Sequence, residues 1–120
     1  MARTVIAPQN WPGSRAVTGT HVTFTQCDVS NKHAFALTGQ ETLLVRNTAA
    51  TALTWTLSGT TDLYGRIQDA VGTVAAGSVD VFGPISNAAS AGWRQTGGTA
   101  YLEGGGTLLY FAVLVLPTAW

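Results

Sequence analysis

The sequence predicts an all-β protein, a single-domain antiparallel β-sandwich, jelly-roll-like, of about seven to eight short strands behind an extended N-terminal arm. Three observations carry this expectation. Short runs of aliphatic, aromatic and β-branched residues recur along the chain, separated by Gly, Asn, Ser and Asp. In ALTWTLS, Leu53, Trp55 and Leu57 alternate with Thr54, Thr56 and Ser58, the period-2 pattern of a half-buried strand. No segment sustains a helical period, and the one candidate turn, Ile67, Val71 and Val74, is weakened by Gly72 and by β-branched neighbours. A chain of 120 residues fits one domain. Residues 1–20 read as the arm and 21–120 as the sandwich.

In chain order, the arm carries Arg3, Trp11 and Arg15, no acid, and two prolines, Pro8 and Pro12. It is expected to be unordered alone and to become fixed on a neighbouring subunit, with Arg3, Trp11 and Arg15 as its contact residues. Strands follow at VTF (22–24), AFAL (34–37), TLLVRN (42–47) and ALTWTLS (52–58). The short polar loop NTAAT between the last two reads as a hairpin. Residues 67–76 read as loop, then SVDVFG (78–83) and TAYLE (99–103) as strands.

The final strand, TLLYFAVLVLP, is apolar on both faces, so neither face is expected to meet water. In a small sandwich one face of a strand meets the core and the other needs a cover. A loop, the arm or a second protomer could supply it, and a second protomer is favoured, with Phe111, Val113 and Val115 as the self-association residues.

Composition narrows the function classes. Charged residues make up 10% of the chain, against about 25% in ordinary soluble proteins, and six basic residues balance six acidic ones. No basic cluster supplies the phosphate contacts that nucleic-acid binding needs. The single cysteine, Cys27, offers no internal disulfide and reads as a small core residue. The N-terminal stretch lacks the apolar core of a signal peptide, and the longest apolar run is too short to span a membrane as a helix.

The stretch DLYGRIQD, from Asp62 to Asp69, gathers three of the twelve charged residues. Asp62 and Asp69 could serve as paired carboxylates, but no further acid, histidine or nucleophile accompanies them. The favoured reading is a braced loop in which Arg66 pairs with Asp62 or Asp69. His21, Cys27, Asp28 and His33 lack the close ligand pairs of a structural zinc site, and no serine stands in a nucleophile elbow. No enzyme, cofactor or metal is therefore expected. Four tryptophans, Trp11, Trp55, Trp93 and Trp120, leave a carbohydrate-binding module as an alternative.

The order of segments adds a resemblance. LLVRN, a polar loop, a Thr-rich strand, YGR, AGSVDVFGP, GWRQ, YLE and FAVLVLP succeed one another over residues 36–117. This succession resembles small capsid decoration, or cement, proteins of tailed bacteriophages. The resemblance implies a virion protein, made in the host bacterial cytoplasm, that binds the outside of the assembled head and strengthens its lattice. The implied partner is the major capsid protein. The resemblance also implies a homo-oligomer, with a trimer favoured by the threefold sites of a head. A tail or head-fibre module is the nearest variant.

Overall fold

The structure, a computed structural model, describes residues 3–10, 21–86, 91–95 and 97–115. Within them the chain is all-β. The strands are β1 (Thr4–Val5), β2 (Gln9–Asn10), β3 (Thr25–Gln26), β4 (His33–Ala36), β5 (Glu41–Asn47), β6 (Leu53–Leu57), β7 (Ala70–Val74), β8 (Val79–Ile85), β9 (Thr99–Gly104) and β10 (Leu109–Val115). One sheet has the order β1-β4-β9-β6-β7 and the other β2-β10-β5-β8, with β3 also paired to β10. Both sheets are mixed rather than purely antiparallel, because β1 runs parallel to β4 and β2 parallel to β10.

The longest ladder joins β10 to β5, in unbroken register from Leu109 opposite Asn47 to Val115 opposite Glu41. Alternation sends Leu109, Phe111 and Val113 inward with Leu43 and Val45, where they meet Phe35, Trp55, Leu57 and Leu102 of the facing sheet. Full burial of each such side chain contributes about 1.5–3 kcal/mol. Cys27 joins this core, and burial pushes its thiol pKa up.

The inner position of β10 corrects the expected self-association residues. Phe111 and Val113 belong to the core of the single chain and Val115 is half-buried, so this strand offers a second protomer no open core face. On the opposite face Ala112 is 0% and Leu114 5% exposed, so that face too is closed within one chain.

The arm is also more integrated than its composition suggests. Its described part contributes a strand to each sheet, and between them Ile6 enters the core at 1% exposure. Arg3, expected to reach a neighbour, instead donates to the His33 carbonyl at 3.1 Å and lies 4.0 Å from the Tyr101 ring centroid. Trp11 and Arg15 lie outside the described residues.

Two further expectations fail for identifiable reasons. The loop NTAAT does not close a hairpin, since β5 and β6 belong to different sheets and the loop crosses between them. Asn47 makes the crossing, its side-chain amide donating to the carbonyls of Thr51 and Val74. The segment read as loop contains β7, paired with β6 from Ala70 opposite Leu57 to Val74 opposite Leu53. Gly72, the apparent breaker, is there because the Trp55 indole lies against it. A Cβ at that position would stand 2.4 Å from Trp55 Nε1.

The integration of the arm yields a test. Ile6→Ala should lower the unfolding free energy by about 2–5 kcal/mol, as for other buried aliphatic truncations, measured by denaturant titration. A loss of a few tenths would mean that the N-terminal strand is not part of the folded unit.

Candidate functional site

Asp62–Asp69 closes the long connection between β6 and β7, and its charges are spent on local geometry. Asp62 Oδ1 accepts from the backbone N–H groups of Tyr64 and Arg66 at 2.8 and 2.9 Å. Its Oδ2 faces Arg66 Nε at 3.2 Å. The Asp62 N–H donates to the Arg66 carbonyl at 2.8 Å, and Thr61 bridges to Ile67. Asp69 Oδ1 accepts from the Gly59 N–H at 2.8 Å, tying the far side of the loop to the end of β6.

These three residues form the brace expected from the sequence, with Arg66 paired to Asp62 rather than Asp69. The ion pair itself is open to water and contributes little. The backbone donors hold the turn. The Arg66 N–H, foremost, holds the Asp62 carboxyl below the usual carboxylate range, so at neutral pH it is ionised and is no general acid.

Beneath this loop lies a cleft of about 340 Å³, lined by Thr60, Asp62, Arg66, Gln68, Asp69, Ala70, Phe82, Ala91, Gly92 and Trp93. Its floor is an aromatic chain rising from the core. Trp55 contacts Phe82 edge-to-face at 5.2 Å, and Phe82 contacts Trp93 in the same way at 6.2 Å. Each such pair contributes about 0.5–1.5 kcal/mol beyond area burial and fixes ring orientation. Gly92 lets the 91–93 segment close on the loop. The Thr60 N–H donates to its carbonyl, and a Cβ there, at a φ of +86°, would crowd the Thr60 oxygen at 3.1 Å.

The sequence singles out the two aspartates, the arginine and, among four tryptophans, Trp93, but not Phe82 and Gly92, and it does not bring Trp93 to the Asp62–Asp69 loop. The GW pair in GWRQ was the available signal. No local pattern links it to DLYGRIQD.

Of the residues weighed as metal ligands, His21 is exposed, Cys27 lies in the core, and Asp28 and His33 are engaged with each other and with β1. His33 is fully buried, its Nε2 accepting from the Asp28 N–H at 2.8 Å while Nδ1 lies 3.2 Å from the Thr4 carbonyl. The tautomer protonated at Nδ1 satisfies both contacts. Burial pushes the His33 pKa down, and Arg3 adds to this while Asp28 opposes it. Asp28 in turn accepts from the Asn31 N–H and the Thr4 hydroxyl, and its pKa is lowered to about 2. The cluster fastens β1 to the 27–32 turn.

This cluster makes the fold acid-sensitive in a defined window. With its pKa lowered, folded His33 holds fewer protons than the unfolded chain below about pH 6.5, so stability falls as pH drops through that value. Asp28 acts lower, its contribution lost from about pH 4 towards 2. Unfolding free energy measured from pH 7.5 to 5 should decline below about 6.5 in the parent, and His33→Gln should flatten that decline. An equal slope in both would assign the acid sensitivity elsewhere.

Comparison with known proteins finds no match, whether to a family model, a curated sequence or a solved structure.

Proposed function

We propose that the chain is a non-enzymatic structural protein of a tailed-phage virion, bound to the outside of the assembled head and reinforcing its lattice. In this reading the sandwich is of jelly-roll type. The strand order supports it: β3-β10-β5-β8 faces β4-β9-β6-β7, and from β3 onward every connection except β6 to β7 crosses between sheets. Paired Greek keys of this order occur in viral capsid and lectin domains. That is an analogy of fold, so the functional weight rests on the surface.

The observation that carries the reading is the β8 side of the outer face of the β2-β10-β5-β8 sheet, where Val79 and Val81 are exposed while Ala112 and Leu114 on β10 are covered. The registers set Val81, Leu44 and Ala112 in one row across three strands, with Val79, Arg46 and Tyr110 in the next. The row grades from Val81 at 65% exposure to Ala112 at 0%. Among the described residues this face carries one charged side chain, Arg46, and no carboxylate. An apolar face on a rigid sheet suits attachment to a large, fixed partner, because little order is lost on docking.

The partner in this reading is the major capsid protein. The trimer expected at threefold positions is assembled on the lattice from exposed edges, since Phe111 and Val113 lie inside.

Protein mixed with expanded, empty heads that lack it should co-sediment with them. Val81→Asp should leave the melting temperature within about 2–4 °C, as for an exposed site, and weaken co-sedimentation about tenfold or more. Equal binding by the variant would remove this face from the contact. Sedimentation with tails instead of heads would favour the tail or fibre variant.

A further inference from the structure

The cleft beneath the Asp62–Asp69 loop holds groups that neither the brace nor attachment to a shell uses. We propose that it binds one neutral sugar ring, independently of the head-binding face. Its volume of about 340 Å³ lies at the low end of the roughly 300–1,000 Å³ of ligand clefts, which fits a single ring better than an extended chain.

The chemistry of the lining selects the class. Trp93 presents an indole anchored through Phe82 and Trp55 to the core, so a stacking surface is in place before a ligand arrives. A pyranose carries an apolar C–H face suited to such a ring and a rim of hydroxyls that both donate and accept. The rest of the lining answers that rim. Asp69 spends Oδ1 on Gly59, and its second oxygen has no hydrogen bond within the described residues. Arg66 spends Nε on Asp62 and lies 5.0 Å from the Tyr64 ring centroid, with its terminal amino groups still able to donate. Gln68 and Thr60, both with polar side chains, also line the space.

Other classes fit less well. An anion meets two carboxylates against one guanidinium. A cation meets Arg66, and Asp62 is already satisfied by three N–H donors. A metal ion finds carboxylates from only two residues in the lining. A wholly apolar molecule strands the Asp69 oxygen, at the cost of an unmade hydrogen bond.

The experiment is an amide and indole NMR titration with the methyl glycosides of glucose, galactose, mannose and N-acetylglucosamine. At least one should move the Trp93 indole and Gly92 amide resonances saturably, with a Kd on the order of 1–10 mM, the affinity expected for so few atoms. Asp69→Asn keeps the Oδ1 acceptor for Gly59 and should weaken binding about tenfold, the loss of a charge-assisted hydrogen bond. Trp93→Ala should abolish binding, with the core amides of Leu57 and Phe111 reporting that the fold persists. Val81→Asp, outside the cleft, should bind the glycoside as the parent does, so failure here is separable from failure of head attachment. Absence of saturation with all four glycosides at roughly ten times that Kd would overturn the proposal. So would equal binding by the parent, Asp69→Asn and Trp93→Ala.

Discussion

The ladder between β5 and β10 is the constraint on which the rest of the structure depends. Its seven paired positions fix which side chains of both strands turn inward. A shift of one residue would carry Phe111 and Val113 to the outer face and set Ala112 and Leu114 against the core. With no disulfide available and few charges to pair, burial of these inner faces is the main source of stability. The other strands are placed relative to this pair: β8 on its free side, β2 and β3 on the other, and the second sheet across the core.

That arrangement separates two surfaces. The outer face of the β5–β10 sheet is nearly without charge, while one polar cluster lies where the β6–β7 connection meets the 91–95 segment and another where β1 meets the 27–32 turn. Because Asp62 and Asp69 are held by backbone donors, the loop keeps its shape without a partner, and Trp93, Gln68, Arg66 and one oxygen of Asp69 are left over. Carboxylates that looked like candidates for chemistry serve first as anchors for amides.

Much of this was legible in the sequence where a local pattern had one physical meaning. The alternation of Leu53, Trp55 and Leu57 gave β6 and its inner face, and the charges of DLYGRIQD gave a brace. What escaped depended on distant contacts. Gly72 reads as a breaker until Trp55 is found lying on it. Ile6 reads as part of a loose arm until the parallel pairing of β1 with β4 brings it under the core. The apolar outer residues of β10 suggested a second protomer because composition cannot distinguish burial by the same chain from burial by another. The cleft, built from residues 60–70, Phe82 and 91–93, has no signature shorter than the fold.

One chain closes its own core, with Phe111 and Val113 of β10 buried inside it. The most direct measurement is the melting temperature across a roughly hundredfold range of protein concentration, since a core completed by a partner makes it concentration-dependent by mass action. The account predicts a constant value. A melting temperature that climbs steadily with concentration would contradict it, returning the burial of β10 to an interface between copies.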